Sequence, residues 1–230
     1  MTAPRSIDSY AYPCDNDIAR LLDSPFVQSA LRKIANLYYS KQIHEAINTG
    51  VVVNKISFPA LYKVVENCAR KIVIPDDVTI VLTSRLKGTN ALAVENDGKG
   101  VVFLSKTAVL QLDETELSFM IGHELGHVAQ GNLACHTIKG LIDNLKDSSV
   151  ILGAMLSEMI EVPLNKWYQC SEYTADRAGL LCCESLSCAE SLLSKIVTRE
   201  HRFAPSLLEL YDDHPLIEKR IRELKSFSFP

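Results

Sequence analysis

Apolar positions recur at helical spacing through residues 17 to 48, where Ile18, Leu21 and Leu22 are followed by Leu31, Ile34, Leu37 and Tyr38. That spacing predicts a helix. "ISFPALYKVVENCARKI" predicts a second, from about 57 to 72, and Pro75 then breaks the pattern. The middle of the chain changes period. "VTIVLTS" (78 to 84) is a β-branched run, "NALAVEN" (90 to 96) is apolar at alternate positions, "DGKG" (97 to 100) supplies turn residues and "VVFLSK" follows. Together these predict three short strands, the last two forming a hairpin. Everything after "TAVLQL" reads as helix again. The pattern therefore predicts an α+β fold, predominantly helical, with a small three-stranded sheet.

One helix in the second half is unusually well marked. Asp113 is a good N-cap, and Glu116 three residues later completes a capping-box pattern. Gly131 is a natural stop. Between them Leu117, Met120, Ile121, Leu125 and Val128 form an apolar stripe, and His123 and His127 flank it. The two histidines thus lie well inside a helix, at the edge of a core face.

Composition narrows the classes. The 230 residues are 47% hydrophobic with few prolines and glycines, which suits a packed globular core. The net charge is -4 and the pI about 5.9, and no basic stripe is present, so nucleic acid is not expected as a partner. The positive charges of "EKRIRELK" are mixed with acids and read as a solvated helix face. The first residues lack the apolar core of a signal peptide. No stretch reaches the roughly 18 uncharged apolar residues of a membrane span. The nearest, "SSVILGAMLSEMIEVPL", is interrupted by Glu158 and Glu161 and reads as a buried or interfacial helix. Seven cysteines at irregular spacing suggest reduced thiols in the cytoplasm rather than a disulfide framework. Cys182, Cys183 and Cys188 are read as small buried residues before they are read as a second metal site.

Within "FMIGHELGHVAQGN", residues i and i+4 of a helix stand one above the other, so His123 and His127 can aim their imidazoles at one point. Glu124, one residue and about 100° further round, is placed to act on a water there rather than to bind metal itself. Two ligands and a base on one turn is the logic of H-E-x-x-H zinc sites. A helix with two boundary histidines is the plainer reading, since three fixed residues in five arise by chance. A catalytic zinc needs a third protein ligand and an open fourth position. In "WYQCSEYTADRAGLL" (167 to 181), Glu172 and Asp176 share a helix face with Ala175 and Gly179. Small residues there allow a close approach that brings Glu172 to the metal. Asp176, one turn on, would then support a ligand histidine through its other nitrogen. A surface glutamate and aspartate on a mixed-charge helix is the alternative. In "YDDHPLIEKRIREL" (211 to 224), Asp213 or His214 can cap a helix begun by Pro215, and the residues alone do not decide between a cap and an active-site role for His214.

Taken in order, "HELGH", "EYTAD" and "HP" with an arginine six residues on resemble the HtpX-like zinc metalloendopeptidases, the family that also contains the CAAX prenyl protease. "TNALAVENDGKGVVFLSKTAVLQLDETELSFMIGHELGH" is similar to the family's "NA" strand, the strand after it and the metal helix. The resemblance covers about residues 78 to 222. It is strongest to short soluble bacterial members, through "WY…E…DRAGLL", although many members carry transmembrane helices around the catalytic domain. The resemblance implies a gluzincin-type protease: a zincin-like domain with its small sheet beside the metal helix, and one Zn2+ per chain. Carried over by position, His123, His127 and Glu172 bind zinc and Glu124 is the general base. Asp176 and Arg220 support and order the site, and His214 helps stabilise the oxyanion. Asn90 and Ala91 lie on a substrate-side edge strand that pairs with an extended peptide.

These readings give a single domain over 1–230, with a helical part at 1–75 and a catalytic core at 76–225. The expected partner is a protein or peptide substrate, with no nucleic acid and no transmembrane segment. Peripheral membrane contact through "VILGAMLSEMI" and the oligomeric state stay open. Residues 1 to 16 are a candidate cover for the cleft. The rival to a protease is a catalytically silent, zinc-bearing module that holds peptides without cutting them.

Overall fold

The computed structural model describes residues 3–14, 24–75, 78–131, 133–136, 151–200 and 217–227. After a 3-10 turn at Ile7–Ser9, helix α1 runs Pro25–Thr49. Ser24 caps it by accepting from the Val27 amide, and Pro25 takes the first turn, where its missing N–H is no loss. Residues 17–23 of the expected helix lie outside the described residues. Helix α2, Pro59–Ala69, falls within the predicted 57 to 72.

The sheet has four strands rather than the three expected. They are β1 (Val51–Val52), β2 (Thr79–Thr83), β3 (Ala91–Asn96) and β4 (Lys99–Ser105), in the order β1-β2-β4-β3. The additional strand β1 pairs antiparallel with β2, Val51 opposite Leu82. Two residues cannot show an alternation, and both are exposed, so the hydrophobic pattern carries no trace of them. Gly50 brings the chain from α1 into this strand at very close quarters: a Cβ there would stand 2.3 Å from Val81 Cγ1. Strands β2 and β4 pair in parallel, while β3 and β4 form the expected hairpin. Its turn places Asp97 and Gly98 at φ 51° and 80°, as a two-residue turn of the I′ kind requires.

Side chains alternate across the sheet. Ile80, Leu82, Ala93, Val102 and Leu104 meet Leu117, Ile121, Leu125 and Val128 of helix α4 (Glu114–Gln130), together with Leu61, Val64 and Cys68 of α2. Val81, Leu92, Val94, Val101 and Phe103 pack on the opposite face with Ile43 and Ala46 of α1. Because both faces are covered, β2 and β4 are near-continuous apolar runs.

Helix α3 (Lys106–Gln111) follows β4 directly, with Ser105 as its cap. Helix α4 has the complete capping box of Asp113 and Glu116 and ends at Gly131 in the left-handed conformation, φ 74°. Helices α5 (Ile151–Cys183), α6 (Leu186–Glu200) and α7 (Ile217–Ser226) complete the chain order. α5 lies along α4 on small residues. A Cβ on Gly122 would stand 2.6 Å from Cys182 Cβ, and one on Gly179 2.8 Å from the Phe119 carbonyl. Leu180, Leu192, Leu193 and Leu224 join Phe119 and Met120 to hold α6 and α7 against this pair.

All seven cysteines are free thiols, and among the described residues Cys182, Cys183 and Cys188 build no metal-holding group. Also among the described residues, no helix is long and apolar enough to cross a membrane. Of the N-terminal segment considered as a cover, residues 3–14 are described. They run past α5, where the Tyr12 amide donates to Thr174 Oγ1 at 3.0 Å and Arg177 donates to the Tyr10 and Ala11 carbonyls.

Candidate metal centre

The capping box fixes where α4 begins, and the i, i+4 spacing then sets two imidazoles on one line. His123 Nε2 and His127 Nε2 are 3.1 Å apart. From α5, Glu172 brings one carboxylate oxygen to 3.3 Å from His127 Nε2 and the other to 3.7 Å from His123 Nε2. Glu172 is fully buried and both histidines are nearly so. The three side chains each offer a ligand atom within 4.8 Å of the others.

This arrangement fits a zinc ion. Ligands at about 2.0–2.1 Å from a tetrahedral centre stand about 3.3 Å from one another, which is the spacing found here. The tautomers agree with it. His123 Nδ1 is 3.0 Å from Asp176 Oδ1, so that nitrogen carries the proton and Nε2 presents a lone pair. His127 Nε2 stands 3.1 Å from that lone pair, close enough for both nitrogens to reach one ion.

Asp176 is itself held by Arg220, which donates from Nε to Oδ2 at 2.8 Å and from Nη2 to Oδ1 at 2.6 Å. Its third nitrogen, Nη1, lies 3.3 Å from Glu172 Oε2. Burial alone would raise the Asp176 pKa, but the Arg220 guanidinium and the His123 hydrogen bond outweigh it and hold the carboxyl below its ordinary value. Burial likewise works against the Arg220 charge, and Asp176 and Glu172 more than restore it. A guanidinium forked across two carboxylates is the pairing that makes such burial tolerable.

Among the residues expected at the site, the structure brings together His123, His127, Glu172, Asp176 and Arg220. Arg220 also corrects the reading of "EKRIRELK" as a solvated face, since it is buried while Lys219 and Arg222 on either side are exposed. Glu124 is buried on α4 beside His123. His214 lies outside the described residues. Asn90 precedes β3, an edge strand that neighbours α4. Its amide donates to Ser105 Oγ at 3.1 Å, and its side-chain oxygen accepts from the Ala91 amide at 2.8 Å.

Two further residues stand behind His127. Ser171, next to Glu172, places its hydroxyl 3.4 Å from His127 Nδ1, and His136 places Nε2 2.9 Å from the same hydroxyl. His136 belongs to a helical turn at residues 133–136. A histidine in the apolar stretch "NLACH" was the signal available, but nothing in its spacing ties it to His127.

A family model described as Peptidase family M48 matches residues 55–228. Plastoglobule-localized metallopeptidase 48, chloroplastic, of Arabidopsis thaliana is 26% identical over 153 residues, covering 66% of this chain and 44% of that protein. Protease HtpX homolog 1 of Streptomyces coelicolor is 25% identical over 245 residues, covering 84% of this chain and 79% of that protein. The chain thus spans less than half the length of the first of these relatives and about four fifths of the second. No solved structure matches it.

Proposed function

The chain belongs to peptidase family M48, and we propose from that premise that it is a zinc-dependent metalloendopeptidase. The observation that carries this reading is the convergence of His123 Nε2, His127 Nε2 and the Glu172 carboxylate at the spacing of tetrahedral ligands. These three residues would hold one Zn2+. When bound, the ion supplies a Lewis acid that makes water a nucleophile near neutral pH.

The chain's own residues do the rest. Glu124 accepts a proton from the attacking water and returns it to the leaving amine. Asp176 fixes the His123 tautomer, and Arg220 holds both Asp176 and Glu172 in place. His214 donates to the oxyanion that develops on the scissile carbonyl. A peptide lies along the β3 edge at Asn90 and Ala91, pairing backbone to backbone. The Ala91 amide is held by the Asn90 side chain, so that side chain swings aside as the peptide docks.

One domain is the reading we favour. Leu61, Val64 and Cys68 of α2 share a core with α4, which supports counting α2 with the catalytic part. Free thiols support a reducing, cytoplasmic setting. Contact with a lipid surface is the alternative that the plastoglobule-localized relative suggests.

The test is Glu124→Gln with a peptide library. Zinc content should stay at one per chain while hydrolysis falls by about 10²- to 10⁴-fold. Undiminished cleavage by the variant would remove Glu124 as the base, and a wild-type chain that holds peptides without cutting them would point to a binding module.

A further inference from the structure

The two ligand histidines have different supports. His123 leans on Asp176 and Arg220, both charged. His127 instead faces the Ser171 hydroxyl at 3.4 Å, and that hydroxyl lies 2.9 Å from His136 Nε2. Ser171 and His136 are each 2% exposed. The His136 ring is packed against His127, Trp167 and Tyr168, with ring centres 4.3, 5.0 and 5.0 Å away.

We propose that Ser171 and His136 are positioning residues: a neutral hydrogen-bond relay that orients His127 for the metal. The proposal rests on the metal-site reading above. Once His127 Nε2 is given to a metal, its ring proton must sit on Nδ1. That N–H then donates, and Ser171 Oγ is the acceptor that stands there. A serine oxygen has two lone pairs, so after accepting from His127 it either accepts again or donates to its other neighbour, His136 Nε2. In the relay it donates: that nitrogen is the unprotonated one, the proton of His136 sits on Nδ1, and every bond runs outward from the metal.

The relay also explains why a histidine stands in an aromatic wall. A phenylalanine would fill the space between Trp167, Tyr168 and His127 equally well, but it would leave the Ser171 hydroxyl facing carbon. An unmade hydrogen bond at a buried hydroxyl is costly, and a ligand histidine without an acceptor is free to turn.

The experiment measures zinc affinity of the full chain by competition with a chromophoric chelator, beside thermal unfolding of the metal-free protein. Ser171→Ala removes the hydroxyl and is favourable for helix α5, so weakened binding would not come from a lost helix. His136→Phe keeps the ring packing and removes the acceptor. Each should weaken zinc binding by about 10- to 100-fold. The double variant should be no weaker than the worse single one. His136→Gln, whose amide oxygen can take the place of Nε2, should recover most of the affinity. Unchanged zinc affinity in Ser171→Ala, or a glutamine no better than phenylalanine, overturns the relay.

Ring-nitrogen NMR of the unmodified, zinc-loaded chain asks the same question without a substitution. His127 and His136 should both carry their protons on Nδ1, and a proton on His136 Nε2 overturns the relay. The two readings fail differently. A wild-type chain that binds no zinc removes the metal site and the relay with it, whereas zinc binding indifferent to Ser171 removes the relay alone.

Discussion

Gly126 of α4 lies directly against Ala175 of α5: a Cβ added to the glycine would stand 3.0 Å from the Ala175 Cα and 2.8 Å from the Ala178 Cβ. This contact sets the distance between the helix that carries the histidines and the helix that carries Glu172. Neither neighbour has a flexible end that could move aside. Gly126→Ala should therefore push the helices apart and cost about 1–3 kcal/mol of stability. It should also cost zinc affinity out of proportion to that loss, because Glu172 is withdrawn from the site. Urea unfolding and chelator competition on the same samples check both. Wild-type zinc affinity in a measurably destabilised variant would show that the ligand geometry does not depend on this contact.

Arg220 pairs with two buried carboxylates at once. Arg220→Ala should cost about 3–5 kcal/mol, the penalty of leaving buried charge without a partner. Arg220→Lys should recover little of it, because an ammonium cannot fork across Asp176 while also reaching Glu172. The measurement is the denaturant midpoint of the metal-free protein. A lysine variant as stable as wild type would reduce the arginine to a simple countercharge.

Asp176 is held below its ordinary pKa, burial opposing the charge and Arg220 and His123 prevailing. A carboxyl with a lower pKa folded than unfolded adds stability above its unfolded value, about 4, and that stability is lost as pH falls through the folded value. The chain should lose stability on acidification below about pH 4. Asp176→Asn should flatten that part of the curve while lowering stability near neutrality. Urea midpoints across the acid range decide it, and an unchanged slope in Asp176→Asn would mean that other carboxylates carry the acid sensitivity.

The capping box of α4 is local and separable from the chemistry. Asp113 accepts from the Glu116 amide at 2.9 Å, and Glu116 accepts from the Asp113 amide at 3.2 Å. Asp113→Ala should cost about 1 kcal/mol and leave zinc affinity within a few-fold of wild type. Thermal unfolding and chelator competition read the two effects apart. A large loss of zinc would mean that the helix start, and not only its middle, positions the histidines.

Metal removal should silence the chain reversibly. A strong chelator should abolish peptide hydrolysis, and zinc should restore it. If zinc is the ion of the proposed site and binds only the folded state, supplying it at about 1,000-fold above Kd should add about 4 kcal/mol to apparent stability. Cleavage that survives complete removal of metal would contradict the proposed reaction.

The parts of this architecture that were legible in advance are those set by neighbours in sequence. Asp113, Glu116 and Gly131 mark the ends of α4 because caps act within one turn. Asp97 and Gly98 mark the hairpin because few residues accept a positive φ. Ala175 and Gly179, one turn apart and beside Glu172, mark the close face of α5. What escaped is set by distant partners. Strand β1 is two residues long and exists only because β2 pairs with it. Arg220 is named by the family resemblance alone, because its own charged stretch reads as a solvated face and its partner is a carboxylate 44 residues earlier. Ser171 and His136 are unremarkable until the fold puts them behind His127.

That separation of Arg220 from its partners also orders events in time. A ribosome makes both histidines, then Glu172 and Asp176, before it reaches the arginine that lets the two acids lie buried side by side. A nascent chain stopped short of α7 carries His123, His127, Glu172 and Asp176 without the guanidinium that pairs with both acids. The charge partner of the candidate site is therefore synthesised after both of the acids it holds.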